Sequence, residues 1–169
     1  MSWNWLIFWL FIHITAAVIA FGPIFVFPII GVLVQKRPQH FAFAIELNHT
    51  IETRLVLPLA SSMLVSGVGL IFAAHVSLLR STFLWVAILL YLLAIGLALG
   101  VAVPTTGKLL AFVHQSAAQP AAPGPPPPEA MSLVDRLRKT GMALTLLFLV
   151  IIFLMIVQPG GLVPGDIFS

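Results

Sequence analysis

Four stretches of this chain carry no charged residue, and no other feature restricts its fold so tightly. They run from Met1 to Gln35, Leu55 to Leu79, Ser81 to Gly107 and Thr140 to Gly165. Each exceeds the ~20 apolar residues with which an α-helix crosses the hydrocarbon core of a bilayer. In that medium every backbone N–H and C=O must be paired without help from water, which a helix achieves within one segment. The reading is an all-α, polytopic membrane protein: a four-transmembrane-helix bundle with spans near 5–34, 55–75, 83–103 and 142–157. Of the 169 residues 60% are hydrophobic and 8% charged, against about a quarter charged in an ordinary soluble domain. So little polar surface excludes a cytosolic enzyme or a nucleic-acid-binding domain. With no cysteine in the chain, disulfides, thiolate metal sites, iron–sulfur clusters and cysteine nucleophiles are excluded as well.

The basic residues orient the spans. Lys36, Arg37 and Arg54 fall in one connection, and Lys108, Arg136, Arg138 and Lys139 in another on the same side; only Arg80 is opposite. Positive charge collects on the cytoplasmic side, so both termini are expected on the non-cytoplasmic side. Trp3, Trp5 and Trp9 at the start of the first span, and Trp85 at the start of the third, fit that outer interface. The first segment lacks the basic start of a cleavable signal and reads as a permanent span. Pro23 and Pro28 within it predict a bend after Phe21–Gly22. Between the third and fourth spans, residues 115–131 read as a cytoplasmic, proline-rich linker of extended polyproline character. Ser132, three residues before Asp135, reads as the cap of the last helix.

Ionisable groups inside a bilayer are functional candidates by default, and this chain has few. His13 lies on the first span, with Ala16, Ala17 and Ala20 on the same face, a small-residue groove suited to a flat prosthetic group or to close helix–helix contact. At ~1.5 Å rise per residue, His13 stands ~34 Å above Lys36 and His75 ~32 Å above Arg54. If those basic residues mark one surface, the two imidazoles share a height and could be the axial pair of a b-type haem. The wheel of the second span instead puts the small, polar face on Ser62, Ser66 and Ala73, which turns His75 outward. Glu46-Leu-Asn-His49 has the E-x-x-H spacing of di-metal bundles, but one copy beside Glu52 and Arg54 reads as a juxtamembrane ion-pair cluster. Gly96 and Gly100 make a G-x-x-x-G packing face, and Tyr91 is a candidate for a hydrogen bond within the bundle. No catalytic motif emerges.

The segment Phe11-Ile-His13-Ile-Thr-Ala-Ala-Val-Ile-Ala-Phe-Gly22-Pro resembles the first helix of a group of small bacterial integral membrane proteins. Glu52-Thr-Arg54-Leu-Val-Leu-Pro58, Ser66-Gly67 and Leu154-Met-Ile-Val-Gln-Pro159-Gly160 look like a family described only as predicted integral membrane proteins. Similar first helices occur in the copper-resistance D domain and in the four-helix haem-binding protoporphyrinogen oxidase. The second resemblance implies a haem-linked role for His13; the lysine that the oxidase uses in a later helix has no counterpart inside a span here. The resemblance implies a multi-pass protein of the bacterial cytoplasmic (inner) membrane.

Two functions are therefore expected. The first is an accessory or structural subunit without catalytic activity, which packs within a larger membrane complex or associates with itself in the lipid bilayer. The alternative is a b-type haem-binding redox or haem-handling protein that uses His13, with His75 as the second candidate ligand.

Overall fold

The computed structural model describes residues 3–75, 81–117 and 127–158. Six α-helices occupy them: α1 Trp3–Lys36, α2 Phe41–Ile51, α3 Leu57–Ala73, α4 Thr82–Leu97, α5 Val103–Ala117 and α6 Pro128–Val157. A π-helical turn, Glu52–Val56, joins α2 to α3, and another, Ala98–Ala102, joins α4 to α5. The six therefore make four long rods, each long and apolar enough to cross a membrane. The four-helix, all-α architecture expected from the charge-free stretches is what the chain adopts.

The two π turns share a cause. Each ends two residues before a proline, Pro58 in one rod and Pro104 in the other. A proline in a helix removes one N–H and drives its ring against the carbonyl four residues back. Widening the turn before it moves the bonding to the next register: Leu57 N–H donates to Glu52 O, and Val103 N–H to Ala98 O. The helix passes through the proline instead of ending there. α1 likewise runs as one helix across Pro23 and Pro28.

This alters several expectations. Residues expected in connections, 41–54 and 105–117, are helical. The linker expected over 115–131 is helical at both ends; its centre, 118–126, lies outside the described residues, as do Arg80 and Pro159–Gly160. Pro127 is extended (φ −55°, ψ 146°) and Pro128 opens α6, because a first-turn N–H has no helical partner to lose. Ser132 is thus inside the helix, its hydroxyl donating to Glu129 O at 2.7 Å, rather than at its cap.

At ~1.5 Å per residue, rods of 30 or more residues span at least 45 Å, about 15 Å beyond the hydrocarbon thickness. The surplus of three rods meets at one end, which holds Lys36, Arg37, Lys108, Arg136, Arg138 and Lys139. There Ile45 of α2, Leu109 of α5 and Ala130 of α6 form a small core of their own, with Phe41, Phe112 and Leu133 around it. Asp135 pairs with Lys139 (2.7 Å) and Arg138 (3.6 Å) on the surface of α6, and the Lys139 ammonium holds its carboxyl below the ordinary carboxylate range. Elsewhere α1 packs chiefly on α3, and α4 on α6. Phe21 of α1 stacks on Phe148 of α6 with ring centres 4.0 Å apart.

Candidate functional site

His13 is held between α1 and α3. Its Nδ1 lies 2.9 Å from the Ser66 hydroxyl, which is 1% exposed and itself 3.3 Å from Met63 O. Both hydrogens find acceptors when Nδ1–H donates to Ser66 Oγ and the hydroxyl donates to the carbonyl. The backbone of α3 makes room for this with glycine. The His13 ring lies against Gly67, and one turn nearer the N-terminus of α1 the Trp9 indole lies so close over Gly69 that a Cβ there would collide with it. Ala16 and Ala20 are buried and Ala17 is half-buried, so the small-residue groove serves close contact between helices. A histidine–serine pair at this distance also resembles an activated nucleophile. No acid lies in any of the charge-free stretches to orient the imidazole, and the hydroxyl has Met63 O within reach.

His75 does not join this site. It follows the last turn of α3 in the left-handed region (φ 52°), exposed. At that point the chain has left the helix, so the helical wheel no longer describes its direction. Ser66, the partner of His13, lies nine residues earlier, roughly 13 Å along the helix axis, and the Trp9 indole on Gly69 fills part of the interval. The equal heights expected for the two histidines fail because α2 starts at Phe41, well before Arg54. Lys36 and Arg54 therefore do not mark one level.

A second polar cluster sits nearer the basic end, between α2 and α5, and sequence reasoning missed it. Glu52 opens the first π turn, half-buried and facing the hydroxyl of Thr106, a residue with 0% exposure. Thr106 Oγ1 lies 3.0 Å from Ala102 O, the last residue of the second π turn. The His49 ring faces Gly107. Asn48 Oδ1 and His49 Nδ1 are buried with no hydrogen-bond partner among the described residues. The expected ion-pair cluster of Glu46, Glu52 and Arg54 is not formed: Glu46 and Arg54 are exposed, and the ion pairs among the described residues all belong to Asp135. A signal was present in the spacing. Phe41, Ile45, Asn48 and Glu52, and Ala102, Thr106, Leu109 and Val113, each step by 4, 3 and 4 residues, the stripe of a helix facing a neighbour.

Among the described residues Gly96 and Gly100 line no contact inside the bundle: a Cβ on either meets no side chain and no other helix within 4 Å. Tyr91, five residues before Gly96 on α4, does make the expected internal bond, donating to Ala60 O of α3.

Residues 7–159 match the family described as "Predicted integral membrane protein (DUF2269)". The chain belongs to that family. The match includes the segments Phe11–Pro23 and Glu52–Pro58 on which the resemblance to an uncharacterised membrane family rested. No curated protein and no solved structure matches the chain. As a member of this family it is an integral membrane protein, and the family description adds no activity.

Proposed function

We propose that this protein is an accessory or structural subunit of the bacterial cytoplasmic membrane, not an enzyme, and that it receives a further transmembrane helix on α4. The observation that carries the reading is the open face at Gly96 on α4 and Gly100 in the π turn that follows it, where among the described residues no side chain and no other helix comes within 4 Å of a Cβ on either. Small residues at such spacing let helix backbones approach closely, and packing, not a hydrophobic driving force, holds helices together in lipid. In contrast, Ala87 and Phe83 on the same helix are buried, so α4 is packed within the bundle on one side and open on the other. The basic end faces the cytoplasm in this reading, and the partner is a second copy or a helix of a larger complex.

The test is assembly in mild detergent or nanodiscs, followed by light scattering and co-purification from the native membrane. Gly96→Leu and Gly100→Leu should each weaken association about tenfold or more, equivalent to ~1.4 kcal/mol, with the thermal transition of the monomer unchanged. A wild-type protein that stays monomeric and co-purifies with nothing would sink the reading.

A further inference from the structure

Where α2 and the first π turn meet α5, hydrogen-bond acceptors outnumber donors. Thr106, at 0% exposure, spends its hydroxyl hydrogen on Ala102 O at 3.0 Å, so toward Glu52 it offers lone pairs. On the same rod, within one turn of Glu52, Asn48 Oδ1 and His49 Nδ1 are buried without a partner among the described residues. An ionised Glu52 only accepts and adds to the surplus, whereas a protonated one brings the donor that Thr106 Oγ1 lacks. To serve the carboxylate, the Thr106 hydroxyl must turn away from Ala102 O, at the end of the second π turn. No cation offsets the charge. The elements packed on the first π turn are α1, α2 and α3, and α5 meets it at Thr106. Their titratable groups are His13 and Lys36 on α1, Glu46 and His49 on α2, and Lys108 and His114 on α5; α3 has none. His13 is bonded to Ser66. Lys36, Glu46, Lys108 and His114 are exposed, as is Arg54 in the turn itself. His49 shares the interface, its ring against Gly107 of α5. Among the described residues no Lys or Arg pairs with Glu52.

We propose that Glu52 is a proton-operated latch between the two halves of the chain: protonated, it donates to Thr106 and holds α2 and the first π turn against α5; ionised, it releases them. The latch ties one π turn to the other, since Glu52 opens the first and Thr106 is bound to the end of the second, and π turns inside long helices are common at functional positions. Glu52 precedes the 55–75 span and is half-buried. Burial, opposed in part by Thr106, pushes its carboxyl from the ordinary 4.5 up to about 7. The interface is therefore at full strength below the ordinary value and loses strength as the pH rises through about 7. Release separates Ile45 on α2 from Leu109 on α5 and opens the small core at the basic end. The inference uses none of the α4 face and stands apart from the subunit reading.

The chain has no cysteine, so nitroxides can be placed on Gln39→Cys, just before α2, and Ser116→Cys, near the end of α5, both exposed positions. Pulsed electron resonance on the full-length protein in nanodiscs then reads the separation of the two helices. The doubly labelled protein should show one narrow distance at about pH 5 and a longer, broader distribution at about pH 9, with the change centred near 7. Glu52→Gln, nearly isosteric and permanently neutral with an N–H to donate, should keep the narrow distance at both. His40→Ala/His114→Ala, which removes two exposed imidazoles, should respond as the parent does. One unchanged distance at both pH values in the parent, or a response lost in the His40/His114 variant, would overturn the proposal. So would a response that persists in Glu52→Gln, which assigns it to His49, or a broad distribution in Glu52→Gln at both.

Discussion

At the scale of single residues, the apolar part of the bundle is specified by what fits over two glycines. Gly67 and Gly69 lie two residues apart on α3, yet their surroundings differ. A methyl group at Gly67 would meet His13 Cε1 at 3.5 Å, ordinary contact, whereas at Gly69 it would enter the rigid Trp9 ring system. Gly69→Ala is therefore expected to destabilise the protein by about 1–3 kcal/mol through overpacking, and Gly67→Ala to be close to neutral. Thermal or chaotrope unfolding in detergent measures both, and equal effects would contradict the register of α1 on α3. His13 was legible as a lone ionisable group on an apolar face. Its partner was not: Ser66 appears in the sequence as one of several small residues, and only the approach of α1 to α3 selects it. His75 is exposed, as the wheel of the second span reads it; what failed was its shared height with His13, because α2 begins at Phe41, well before Arg54.

At the scale of elements, the prolines decided more than expected. Pro58 lies inside the expected second span and Pro104 just past the expected third, and each is absorbed by a π turn that ends two residues before it. The rods consequently extend past the membrane, and α2, α5 and α6 close a small core around Leu109, which is 0% exposed. Leu109→Ala should cost about 2–5 kcal/mol, the range for a truncated core leucine. The loss falls on the basic end, so the expected readout is faster tryptic cleavage at Lys108, Arg136 and Lys139, with the lipid-spanning fragments still intact. Unaltered cleavage would mean that this end is held by something other than its own core. The 4-3-4 stripes on α2 and α5 were in the sequence throughout. They were hidden by the polar residues within them, since Asn48, Glu52 and Thr106 do not register in a search for apolar periodicity.

At the scale of the whole molecule, orientation is a property of charge distribution, and the chain's lack of cysteine makes it directly measurable. Single cysteines at Gln39, at the basic end, and at Thr82, at the other, both exposed positions, can be probed with a membrane-impermeant maleimide in intact cells. Thr82→Cys should label at once and Gln39→Cys only after permeabilisation; the reverse pattern would invert the topology. By itself the sequence determined the solvent, the helical class and the number of spans. Those follow from the cost of placing charge and unpaired backbone in hydrocarbon, a cost that depends on composition along the chain and not on which helix meets which. The tertiary structure alone decided that His13 faces Ser66 and not His75, that Glu52 faces Thr106, and that Gly96 and Gly100 face no other helix among the described residues. Those outcomes depend on the register and rotation of packed helices, set by the fit of Trp9 over Gly69 and by the extra residue in each π turn. One residue of slip in a helix turns a side chain by about 100°, and an apolar sequence contains no charge to announce it.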